Sequence, residues 1–181
     1  EELRSELEQE GSIFTTSSDT EVFLHLMARS RAESLGDALR DALGRARGAY
    51  SIVLLAGEKV LAARDPQGSR PLCLGKTGDA WAVASESCAI DIIGGEYVRD
   101  IEPGEIVTID KDGVHSIMPF EKHTKHFCIF EYIYFSRPDS IIFGECVDKA
   151  RRKIGRTLAE EYPVEADIVI SVPDSWNPAA L

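Results

Sequence analysis

The hydrophobic period changes once, near residue 49, and that change limits what the chain can fold into. Upstream, Leu35, Ala38, Leu39, Ala42, Leu43 and Ala46 recur at i, i+3, i+4, i+7, i+8 and i+11, which predicts a helix with one buried face. It starts near Ser34, and Gly48 supplies a stop. An earlier helix follows Ser18-Asp19-Thr20-Glu21, which has the spacing of a capping box: Ser18 accepts from the Glu21 backbone and Glu21 reaches back. Downstream the pattern is that of strands. Tyr50–Ala56 and Lys59–Ala63 flank Gly57-Glu58; Arg70–Gly75 and Ala80–Ala84 flank a second turn; Glu105–Asp110 and Val114–Met118 flank Lys111-Asp112-Gly113. Two helices followed by antiparallel hairpins predict layered α+β architecture rather than a doubly wound sheet.

The pattern shifts again near Pro119. A polar connector reaches His126, and Phe127–Phe135 is almost continuously aromatic and aliphatic. Glu145–Tyr162 predicts a helix burying Val147, Ala150, Ile154 and Leu158, with Arg151 turned elsewhere. Ala166–Val172 is an apolar run rich in Ile and Val, as in a fully buried parallel strand. A helix followed by such a strand opens an α/β domain. The predicted division is 1–122 and 123–181.

Composition narrows the partners. With 44% hydrophobic residues the chain can build a core, and its net charge of −11 disfavours nucleic acid. No apolar run reaches the roughly 20 residues of a membrane helix. Cys73, Cys88, Cys128 and Cys146 show no CxxC spacing and read as reduced cytoplasmic thiols. His123 and His126 alone make a poor metal site.

Three segments could carry chemistry. Asp19 sits at a helix start, where its carboxylate can cap or can hold an ammonium group by a charge-assisted hydrogen bond; the readings are compatible. Arg64-Asp65 reads as a structural pair in a turn. Pro173-Asp174-Ser175 leaves the carboxyl end of the expected parallel strand, where α/β sheets bind phosphates, and offers oxygen ligands suited to magnesium.

Taken in order, several stretches resemble the amidophosphoribosyltransferase family: Gly11–Val22, Arg64-Asp65-Pro66-x-Gly68-x-Arg70-Pro71-Leu72, Ala84–Ala89, Val98–Glu105, Phe130–Ser140 and Val172–Ser175. The resemblance implies part of an N-terminal-nucleophile αββα glutaminase domain, followed by the start of an α/β type I phosphoribosyltransferase domain. It implies glutamine and phosphoribosyl pyrophosphate as substrates, and 5-phosphoribosylamine, glutamate and pyrophosphate as products, at the first step of purine synthesis. It also implies Mg2+ and a homo-oligomeric parent.

By the same resemblance Asp19 binds the glutamine α-amino group, and Asp174 and Ser175 belong to the pyrophosphate loop, Ser175 also at magnesium. Tyr132 couples the two sites, and Cys128 stands where some members place a [4Fe–4S] ligand. Trp176 departs from the pattern, standing where the family has a small residue. Residue 1 is Glu, and the family's nucleophilic cysteine, its Asn-Gly oxyanion pair and its arginine clamp are not found, so both ends read as cuts and the chain alone is expected to be inert and poorly soluble. The competing expectations are a related glutaminase such as glucosamine-6-phosphate synthase, or a non-catalytic binding module.

Overall fold

The computed structural model describes residues 1–121 and 123–181. Helices α1 (Glu2–Gln9), α2 (Glu21–Arg29) and α3 (Leu35–Leu43) come first. Strands β1 (Ser51–Ala56), β2 (Lys59–Arg64), β3 (Cys73–Thr77) and β4 (Ala80–Ala84) follow, then α4 (Ser87–Ile92), β5 (Glu96–Asp100), β6 (Ile106–Asp110) and β7 (Gly113–Ile117). One sheet has the order β1-β2-β6-β7 and the second the order β4-β3-β5, all pairs antiparallel.

Alternation along the strands builds the layers. Leu61, Ala63 and Ile106 pack under Leu39 and Leu43 of α3. Ala62 and Val107, on the opposite face, meet Leu72, Leu74 and Ile101 between the two sheets. On the far side of the second sheet, Gly75 lets Ile90 of α4 lie against the strand; a Cβ there would run into that side chain. The order helix, sheet, sheet, helix is the expected αββα arrangement.

All three expected hairpins form. Ser34 caps α3, its side chain accepting from the Asp37 backbone, but the helix ends at Leu43, short of the expected stop at Gly48. The capping box at α2 does not form. The N-cap is Thr20, without a side-chain hydrogen bond, and Ser18 Oγ bonds Thr20 Oγ1 at 2.7 Å. Arg64 and Asp65 are buried but do not pair with each other. Arg64 donates to the carbonyls of Arg70, Ile101 and Gly68, while Asp65 accepts from the backbone of Gln67 and Ser69. Each satisfies a tight turn instead.

After the connector comes a π-helical turn (Glu131–Phe135), a two-residue hairpin of β8 (Ile141–Ile142) and β9 (Glu145–Cys146), then α5 (Val147–Glu161) and α6 (Asn177–Ala180). Two expectations are corrected here. Arg151 is 1% exposed, not on the solvent face of α5, and Leu158 is exposed. The Arg151 guanidinium is drawn in by two backbone carbonyls, Tyr132 at 2.6 Å and Ser136 at 2.7 Å. Ala166–Val172 is neither a strand nor buried; Ile168, Val169, Ile170 and Val172 are exposed. A parallel strand needs a hydrogen-bonded neighbour, and among the described residues none lies beside this run.

Candidate functional site

Asp19 is exposed in the turn before α2 and lines an open cavity of about 1010 Å³ with Glu1, Arg45, Arg47, Tyr50 and Ser51. Among the described residues its carboxylate takes part in no hydrogen bond or ion pair. Such a group is free to receive a cationic ligand from solvent. The cavity runs along β1, whose outer edge carries no partner strand among the described residues.

The turn carrying Asp19 is closed by Glu21. Its carboxylate bends out of the first turn of α2 and accepts four hydrogen bonds: from the backbone N–H groups of Thr15 and Thr16, both at 2.8 Å, and from their hydroxyls at 2.9 and 2.6 Å. The Thr15 backbone and the Thr16 hydroxyl are the main causes that hold the Glu21 carboxyl down at about 2. Glu21 thus reaches back as the box spacing anticipates, but to residues further upstream.

Other residues of the aromatic segment join the sheets to α5. Glu131 is buried and accepts from Arg70 Nη1 at 2.5 Å and Ser136 Oγ at 2.8 Å. Glu86, entering α4, accepts from the Arg137 backbone at 2.8 Å and Ser140 Oγ at 2.7 Å. Tyr132 is buried and donates its hydroxyl to the Ile142 carbonyl at 2.8 Å. Burial, then Glu145 and Asp100, push its phenol above the ordinary range. The motif Phe130–Ser140 signalled this region, but nothing in its periodicity marked Glu131 as a buried acceptor, or Arg151 as a buried donor to the carbonyls of the same turn.

Asp174 is exposed, and Ser175 and Trp176 are half-buried. The backbone of Trp176 accepts from Ala179 and Ala180 and starts α6. Neither Asp174 nor Ser175 lines the cavity at Asp19. Cys128 is half-buried and its backbone donates to Ser69. Among the described residues no group of three or more His, Cys, Asp or Glu could hold a metal. A [4Fe–4S] cluster needs four thiolates, so these residues do not fit one. Magnesium differs: it keeps waters and binds through one or two protein oxygens plus substrate phosphates, and the exposed Asp174 with the half-buried Ser175 offers oxygens of that kind.

A family model, glutamine amidotransferase domain, matches residues 1–91, the stretch that holds α1 to α3, the first strands of both sheets and the Asp19 cavity. The chain belongs to the glutamine amidotransferase domain family. Relatives of this glutamine amidotransferase chain include amidophosphoribosyltransferase 1, chloroplastic, of Arabidopsis thaliana, 50% identical over 99% of the chain and 32% of the relative. The amidophosphoribosyltransferase of Bacillus subtilis is 46% identical over 99% of the chain and 38% of the relative. That of Archaeoglobus fulgidus is 48% identical, with 40% of its length covered. A solved structure of the B. subtilis glutamine phosphoribosylpyrophosphate amidotransferase, complexed with ADP and GMP, superposes with a TM-score of 0.96 at 46% identity, covering 99% of the chain and 39% of that structure. The chain therefore spans roughly two-fifths or less of the length of these relatives. The glutaminase αββα fold is shared with them.

Proposed function

We propose that the chain works within an amidophosphoribosyltransferase, transferring the glutamine amide nitrogen to phosphoribosyl pyrophosphate to give 5-phosphoribosylamine, glutamate and pyrophosphate. The observation that carries this is the free Asp19 carboxylate, held by the Glu21-closed turn at the mouth of a large cavity within the amidotransferase domain. There Asp19 accepts the α-amino group of glutamine in a charge-assisted hydrogen bond and sets the orientation of the amide. Neither Cys73 nor Cys88 supplies the nucleophile: burial pushes the Cys73 thiol up to about 12 and raises that of Cys88.

The remaining assignments belong to the same reading. Residues 1–122 form the glutaminase part, and 123–181 the junction and the start of a phosphoribosyltransferase domain. Asp174 and Ser175 receive the pyrophosphate, Ser175 with Mg2+, which would neutralise charge on the leaving group. Tyr132 couples the two parts through the π-helical turn, and the parent is a homo-oligomer. Among the described residues no helix is long and apolar enough to cross a membrane, and the four free thiols suit the reducing cytoplasm.

The test uses the full-length gene product. Pyrophosphate release should require both glutamine and phosphoribosyl pyrophosphate, and Asp19→Asn should raise the KM for glutamine at least tenfold. A well-folded protein that releases no pyrophosphate under these conditions refutes the reading.

A further inference from the structure

We infer that Glu21 is a positioning residue for glutamine, closing Thr15–Thr20 into one hydrogen-bonded loop that holds Asp19 at the cavity mouth. The inference rests on the reading of Asp19 given above.

Four acceptances converge on one side chain that is 12% exposed. Both carboxylate oxygens are used, Oε1 by Thr15 and Oε2 by Thr16, so the loop backbone is gripped at two successive residues. The grip is then passed forward. Thr16 Oγ1 accepts from the Ser18 backbone at 3.2 Å, and Ser18 Oγ meets Thr20 Oγ1 at 2.7 Å. The Asp19 carbonyl accepts from Val22 at 3.3 Å, tying the same turn to α2. Asp19 is thus the acidic residue of the loop left unused, with anchored residues on each side.

The alternative view of Glu21, a helix-start carboxylate that stabilises α2, would not need this geometry. A capping glutamate bonds its own helix's N-cap backbone; this one spends its whole acceptor capacity on residues five and six positions upstream. Its other neighbour is His25, 3.9 Å away, whose ring is tilted against that of Phe14 with centroids 4.4 Å apart, which packs the loop's near end against α2. The chemistry required is also specific to a carboxylate. A glutamine at this position would turn an NH2 group toward one of two N–H donors and break half of the grip.

An ammonium ligand gains from a fixed acceptor because the loop need not be ordered at the moment of binding. The effect should therefore fall on KM for glutamine more than on kcat.

The experiment compares four variants in the full-length protein: E21Q, T16V, T16S and D19N. Glutamine KM and kcat are measured, together with amide exchange at Thr15 and Thr16. E21Q and T16V should raise KM about tenfold with kcat changed less than threefold, and should speed exchange at both amides. T16S keeps the hydroxyl and should stay within twofold of the parent. If E21Q is unstable, the T16V and T16S pair decides on its own. A raised KM in D19N with parental KM in E21Q and T16V overturns the positioning role alone. An unchanged KM in D19N overturns the Asp19 reading and this inference with it.

Discussion

Replacing Arg151 by methionine tests how the aromatic segment is held. Arg151 is 1% exposed and donates Nε to the Tyr132 carbonyl at 2.6 Å and Nη2 to the Ser136 carbonyl at 2.7 Å. Among the described residues it has no carboxylate within ion-pair distance; Glu86 and Asp148 act on it only from farther away. Burial moves its guanidinium below the ordinary arginine value. Methionine fills similar volume, so little cavity forms and the loss is in hydrogen bonding. Two bonds from a charged donor are worth about 1.5–3 kcal/mol each, and two carbonyls lose their partner. Relief of the buried charge offsets part of this, leaving a net cost of about 2–4 kcal/mol. At this chain length each kcal/mol lowers Tm by roughly 2–4 °C, so the melt should drop by about 5–15 °C. Lysine keeps the charge but cannot reach both carbonyls in a fixed fork, and should fall between. Circular-dichroism melts of the parent, R151M, R151K and the exposed control Leu158→Ala provide the assay. R151M melting within 2 °C of the parent would refute the reasoning.

Stability should also depend on acid. Folding holds Glu21 at about 2, and Glu105 lies below its usual value: burial pushes it up, but Arg99, Ser116 and the Glu102 backbone outweigh that. Both carboxyls are depressed in the folded state, so their contribution is present above about pH 4.5 and lost as pH falls toward their folded values. A Tm that stays flat between pH 5 and 3 would contradict this. Gly155 lies against the Ala179 backbone, where a Cβ would collide with the carbonyl. Gly155→Ala should loosen α6 from α5 and speed amide exchange at 179–180, with β2 and β6 unaffected. Ile168, Ile170 and Val172 are exposed in one short segment. They should drive self-association of the 181-residue chain, and I168K with I170K should shift light-scattering mass toward the monomer.

The elements with strong local rules were legible before folding. Hairpins with glycine turns, the helix start near Ser34 and the apolar stripe of α3 each need only neighbours in sequence, and each formed. Where a residue's partner lies far along the chain, the local pattern misled. Arg151 sat on the polar stripe of α5, yet two carbonyls exposed by a π-helical turn drew it inward. Arg64 and Asp65 looked like a pair and instead hold one turn by different groups, Asp65 accepting from its N–H groups and Arg64 donating to its carbonyls and to the distant carbonyl of Ile101. Ala166–Val172 has the composition of a buried strand, but burial requires neighbouring strands that its own residues cannot supply.

At the candidate site the division is similar. Sequence alone named Asp19, Tyr132 and the Asp174-Ser175 loop as candidates, because motif and helix-start chemistry are local, and it established the α+β order through the change of period. Only the tertiary structure decided what each group touches. It left the Asp19 carboxylate free at a cavity and turned Glu21 from a helix cap into the clasp of the loop. It also buried Glu131 between Arg70 and Ser136. Periodicity records which face a residue occupies, but a hydrogen bond between residues 61 apart depends on how the layers pack, and no local pattern encodes that.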